Sequence, residues 1–132
     1  MLDTNILSEA LRNPFGRLSA QIEKFRSGLV CTSAIVASEM RYGAAKKGSP
    51  ALVERVNATL EQISVLPYDK AAAVHYALIR ADLERRGEII GWGDLFIAAH
   101  ARSLGLTLVT ANVREFTRVP DLKVENWLEA AP

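Results

Sequence analysis

The stretch "GLVCTSAIVASEMRYGAAKKG", residues 28–48, changes its periodicity part-way along. Its opening, residues 28–32, is a short continuous apolar run, as a strand buried in a parallel sheet requires. From Ser33 to Lys47 the spacing is helical. Ser33 offers an N-capping oxygen and Gly48 stands just past the end. A buried strand that runs straight into a helix is half of a βαβ unit. Working outward, the alternation repeats. Strand-like runs occur at "ISVLPY" (63–68), "LTLVTA" (106–111) and "LKVENW" (122–127). Helical spacing covers residues 50–62, 69–86 and 94–104, the last stopped by Gly105. In the 69–86 segment Asp69 can cap and Gly87 can terminate, and Ala71, Val74, Leu78 and Ala81 recur at three and four residues, predicting its apolar face. The expected fold is α/β, a parallel sheet with helices on both faces, in one domain over residues 1–132.

With 132 residues, 49% of them apolar, the chain can bury a core without metals or disulfides to hold it. Cys31 is the only cysteine. Its place in an apolar run predicts a buried strand residue in a reducing compartment. No apolar run approaches the roughly 20 residues needed to span a bilayer, and the first residues lack the basic and apolar regions of a signal peptide. A cytoplasmic protein is expected. The net charge of +1 neither favours nor excludes a polyanionic partner, so local clusters or metal ions must supply any attraction. Arg41, Lys46 and Lys47 form one basic group, and Arg80, Arg85 and Arg86 another.

In a parallel sheet the functional crevice lies outside the carboxyl ends of the strands. Polar and acidic residues recur there. Asp3 follows the first apolar residues, Glu39 lies just over a turn into the helix after Ser33, Asp94 opens the "GDLFIAAHA" helix, and Asn112 and Glu115 follow "LTLVT". Singly, each has an ordinary reading: Asp3 as the cap of a helix starting at Asn5, Asp94 as a carboxylate at a helix's positive end, Glu39 and Glu115 as solvated charges. Together, converging carboxylates repel and raise one another's pKa unless a cation sits among them. Mg²⁺ takes oxygen ligands, commonly one or two carboxylates plus water and phosphate oxygens. No His/Cys cluster argues for zinc. A carboxylate-held Mg²⁺ suits phosphodiester chemistry, because it activates water and neutralises charge building on phosphorus.

The segments "MLDTNIL", "SEMRYGA", "GWGDLFIAAHA" and "TLVTANVREF", in this order and spacing, resemble the PIN-domain ribonucleases, and most closely the VapC toxins of bacterial toxin–antitoxin pairs. The closing "FTRVPDLKVENW" is also similar to the end of that family's chains. The resemblance implies a three-layer α/β/α PIN-like domain with a 4–5-stranded parallel sheet. It implies Asp3, Glu39, Asp94 and Glu115 as catalytic and metal-ligating residues. Many PIN domains carry an aspartate where Asn112 stands, and the fourth acidic position then falls on Glu115. Thr4, Asn5, Thr110, Asn112 and Arg114 would support the carboxylates or meet the substrate. The implied activity is a Mg²⁺- or Mn²⁺-dependent endoribonuclease, the toxin of a toxin–antitoxin pair, cutting a structured RNA such as a tRNA in a single-stranded loop. The implied partners are RNA, a VapB-type antitoxin, a second copy in a homodimer, and operator DNA only through the antitoxin; no membrane is involved.

Helices around residues 15–25 and 52–63 are positioned to form an antitoxin groove. Trp92, between Gly91 and Gly93, either packs at the helix entry or stacks on a base. His75 is expected on an exposed side or against a neighbour. His100 lies off the face of Asp94 and is not assigned a catalytic role. Two competing readings are a PIN-fold binding module with weak catalysis, which Asn112 keeps open, and a PIN-type DNA nuclease, for which the long insertions are lacking. A phospho-receiver domain would need a lysine after its last strand and a mid-chain aspartate, and neither is in place.

Overall fold

In the computed structural model, residues 1–25 and 28–128 are described. The helices α1 (Thr4–Arg12) and α2 (Arg17–Phe25) come first, followed by β1 (Cys31–Ser33), α3 (Ala34–Lys47), α4 (Pro50–Glu61) and β2 (Ser64–Leu66). Next are α5 (Lys70–Arg86), α6 (Trp92–Ser103), β3 (Leu108–Val109), the single turn α7 (Val113–Phe116) and β4 (Val124–Glu125). Strands β1 and β2 pair in parallel, as do β3 and β4. Leu2 joins the two pairs through single parallel bridges to Thr32 and Val109. The sheet therefore reads β2–β1–Leu2–β3–β4, all parallel, in agreement with the expected α/β class and strand number.

Local chemistry explains where the helices begin and end. The Ser33 hydroxyl accepts from the Ile35 amide, Ser49 from Leu52, and Asp69 from Ala72, so α3, α4 and α5 each start on a side-chain cap. Gly48 and Gly87 close α3 and α5 at φ of 64° and 67°, a region that suits glycine. The core gathers Leu2, Ile6, Leu7, Val36, Ile79, Ile97, Leu108 and Phe116, all essentially inaccessible to solvent. No helix among the described residues is long and apolar enough to cross a membrane.

Several expectations need correction. The strands are shorter than their apolar runs. Residues 28–30 lie outside β1, and Leu29 is exposed, because only the part that reaches Leu2 and β2 finds backbone partners. Cys31 is half-buried, not buried. In α5 the predicted face is the wrong one. Ala72, Ile79 and Leu83 point to the core, with Tyr76 packed beside them, while Val74 and Leu78 are about 60% exposed. Two apolar stripes share this helix, and spacing alone does not say which meets the sheet. Helix α6 begins at Trp92, two residues before Asp94. Helix α1 begins at Thr4, and its cap is Asp3 itself.

Candidate active site

The first residues are locked into the sheet. The Leu2 amide donates to the Cys31 carbonyl at 2.8 Å, Asp3 to Val109 at 2.9 Å, and Val109 to Met1 at 2.8 Å. These bonds set Asp3 at the carboxyl edge of the sheet, beside Thr110 at the end of β3. The Asp3 Oδ1 accepts from the Thr4 amide at 2.8 Å, and Oδ2 from the buried Thr110 hydroxyl at 2.7 Å. Burial pushes the Asp3 carboxyl above its usual range; the Thr110 and Thr4 donors pull it back, and nearby Glu39 raises it further.

Asn5 ties α1 to the chain after β3. Its Nδ2 donates to Thr110 Oγ1 at 3.3 Å and its Oδ1 accepts from the Ala111 amide at 3.0 Å. Thr110 Oγ1 also accepts from the Asn112 amide at 3.0 Å. The Asn112 side chain then donates to Glu115 Oε2 at 3.1 Å, holding that carboxylate from the first turn of α7. Asn112 thus orients Glu115. Arg114 is exposed and makes no ion pair with Glu115 among the described residues.

From the other side, α3 brings Glu39, whose Oε2 accepts from the Thr4 hydroxyl. Helix α6 brings Asp94 in its first turn. Burial above all, then the negative charges of Asp3, Glu115 and Glu39 and a hydrogen bond with Glu115, push the Asp94 carboxyl up to about 6. Asp94 therefore feels the charge of the other three predicted carboxylates, and Asp3 that of Glu39 as well. Sequence reading missed Gly91 and Gly93. A Cβ on Gly93 would lie 3.3 Å from Glu39 Oε1, and one on Gly91 would lie 3.5 Å from Asp94 Oδ2. The Gly-Trp-Gly spacing before Asp94 was the available signal: at Gly93 the missing side chain leaves room for Glu39 of α3, whereas at Gly91 a Cβ would make only an ordinary contact with Asp94 of the same helix.

Among the described residues, no three or more Asp, Glu, His or Cys side chains stand close enough together to hold a metal ion by themselves. The donor set is all oxygen and lacks a cation of its own. It fits a hard divalent ion held by one or two carboxylates with water and substrate oxygens completing the shell.

The remaining polar residues sort plainly. His100 is buried off the carboxylate face. Its Nδ1 bonds the Ser33 hydroxyl at 2.7 Å, joining α6 to the cap of α3, and burial lowers its pKa. His75 accepts from Arg102 at 2.9 Å. Trp92 is 73% exposed and meets Phe96 edge-on, so it packs little at the helix entry. The second basic group is engaged on its own helix: Arg80 with Glu84, and Arg85 and Arg86 with Asp82. Arg41 donates to Asn57.

A family model described as "PIN domain" matches residues 1–122. The chain belongs to the PIN-domain family. This PIN domain is 42% identical over 133 residues to "Ribonuclease VapC2" of Haemophilus influenzae, covering 97% of each chain. It is 44% identical to the "tRNA(fMet)-specific endonuclease VapC" of Shigella flexneri, covering 96% of each. Among solved structures it resembles VapBC2 from Rickettsia felis bound to a DNA fragment from its promoter, with a TM-score of 0.90, 33% identity, and coverage of 96% and 97% of the two chains. The PIN domain thus sits among the VapC toxins, as the four motifs implied.

Proposed function

We propose that this PIN domain is the endoribonuclease toxin of a toxin–antitoxin pair and depends on Mg²⁺ or Mn²⁺. The observation that carries this reading is the convergence of Asp3, Glu39, Asp94 and Glu115, with Asp94 pushed up to about 6. Such a pocket is costly for a folded protein to maintain unless a cation occupies it. Asp3 and Asp94 are the principal ligands, with Glu39 and Glu115 completing the acidic wall. When bound there, the cation supplies Lewis acidity and charge neutralisation for phosphodiester hydrolysis. The protein's own part is orientation. Thr110 and the Thr4 amide fix one rotamer of Asp3, the Thr4 hydroxyl fixes Glu39, and Asn112 fixes Glu115. The names of the relatives support RNA as substrate, and one names tRNA(fMet), so a tRNA cut in a single-stranded loop is the substrate class.

An antitoxin partner is supported by the VapBC neighbours and by an apolar groove of about 350 Å³ lined by α1, α2 and α4. Leu7, Leu11, Ile22 and Ile63 form its walls. It matches the expected groove, with α1 as an added wall. A partner helix laid there fits the helix-in-groove mode. Operator DNA would be reached through that partner. The exposed Val74 and Leu78 of α5 support pairing with a second copy.

Protein freed of its partner should cut bulk tRNA with Mg²⁺ or Mn²⁺ and stop on adding EDTA. Asp3→Asn and Asp94→Asn should each abolish cutting. Undiminished cutting by either variant would defeat the metal-site assignment. Tight partner binding by a parent that cuts no RNA would make the chain a binding module.

A further inference from the structure

A cleft of about 210 Å³ leaves the carboxylate pocket between α1, α3 and α4. Two matched stripes line it. Thr4, Ser8 and Arg12 follow one another at four-residue spacing on α1, and Glu39, Gly43 and Lys47 do so on α3. Residues four apart share a helix face. Each stripe begins at the pocket, where Thr4 bonds Glu39, and ends on a cation about 12 Å away at 1.5 Å rise per residue. Between them the floor is apolar, with Met40, Ala44 and Val56 buried.

Gly43 is the informative residue. It stands exposed inside α3, where glycine is the poorest helix former after proline. Its φ is not positive, and a Cβ there would meet no atom of the described residues within 4 Å. Neither turn geometry nor packing calls for a glycine. What its absent side chain leaves open is the middle of the cleft. Lys47 makes no ion pair among the described residues, and Arg12 shares only an exposed contact with Glu9.

The geometry points to this cleft as the track for the RNA strand on one side of the cut. The sugar-phosphate backbone passes against Gly43, and a phosphate beyond the scissile one is held by Arg12 and Lys47. Charge sets the direction: the carboxylate end admits a phosphate only together with a cation, whereas the far end attracts one unaided. This inference rests on the ribonuclease reading.

The test uses three variants: Gly43→Ala, Gly43→Leu and Lys47→Gln. Binding of bulk tRNA is measured with each in an Asp94→Asn background, and cleavage with each alone. Gly43→Ala should raise the melting temperature by a few degrees yet raise KM severalfold. Gly43→Leu should weaken tRNA binding tenfold or more with kcat less affected. Lys47→Gln should reduce the slope of log affinity against log salt by about 0.7, the loss of one single-strand phosphate contact. A parent that cuts RNA while all three variants bind and cut like it overturns the track and spares the nuclease reading. A parent that neither binds nor cuts RNA overturns both. Variants that lose only the protein partner, with RNA cleavage intact, assign the cleft to that partner and overturn the proposal.

Discussion

Replace Asp94 by asparagine and the side chain keeps its shape while losing its charge. The Asp94 carboxyl is raised from an ordinary value of 3.8 to about 6, so its ionised form is disfavoured by folding. Between those values the native state binds a proton that the unfolded chain has released, and stability falls as pH rises through this window. A shift of about two units corresponds to at most about 3 kcal/mol at 1.36 kcal/mol per unit. Asp94 is partly open to solvent, which screens the repulsion and leaves roughly 1–2 kcal/mol. Asp94→Asn should therefore melt roughly 4–8 °C above the parent near pH 7.5 in EDTA, for a domain of this size. The gain should vanish near pH 4, where the parent carboxyl is itself neutral. Saturating Mg²⁺ should raise the melting temperature of the parent and barely move the variant. Calorimetry under these conditions reads all of this directly. A variant no more stable than the parent near pH 7.5, or one whose advantage persists near pH 4, would refute the view of Asp94 as a carboxylate held up first by burial and then by the charges of Asp3, Glu115 and Glu39.

Thr110→Val removes the 2.7 Å donor to Asp3 and should cost about 1.5–3 kcal/mol, typical of a hydrogen bond to a charged group. The Asp3 carboxyl then titrates higher, so the acid limb of the cleavage pH profile should move to higher pH. Gly93→Ala places a Cβ 3.3 Å from Glu39 Oε1 and should lower cleavage severalfold with little change in far-UV circular dichroism. Ser33→Ala removes the cap of α3 and the partner of His100 Nδ1, and should cost about 1–3 kcal/mol in denaturant unfolding.

Much of the fold was legible because helix ends are written locally. Ser33 and Gly48, and Asp69 and Gly87, mark real boundaries, since caps and left-handed stops act within a few residues. The acidic residues were legible as a set because strand ends and first helical turns converge in a parallel sheet. Burial was less so. In α5 both stripes are apolar, and only the sheet decides between them. Strand lengths were overestimated because apolar runs continue past the last residue that finds a pairing partner. Asp3 shows that capping a helix and facing the other carboxylates are not alternatives: one of its oxygens caps α1 while the other is held by Thr110 at the end of β3. The part played by Gly93 is a relation between α3 and α6, absent from either segment read alone.

The junction at Leu2 also bears on the order of folding. Among the described residues it joins β1 to β3 through its two bridges, and its neighbour Asp3 bonds Val109 across more than a hundred residues. Closing so long a loop is slow and comes late. Helices α3, α4 and α5 and the β1–β2 pair can form from nearby contacts, whereas the carboxylate pocket cannot exist until β3 has captured the opening residues. On a ribosome, where the chain emerges from its first residue onward, chemical competence would appear only after nearly the whole domain has been made. A nuclease built this way stays harmless to the machinery producing it until synthesis is almost done.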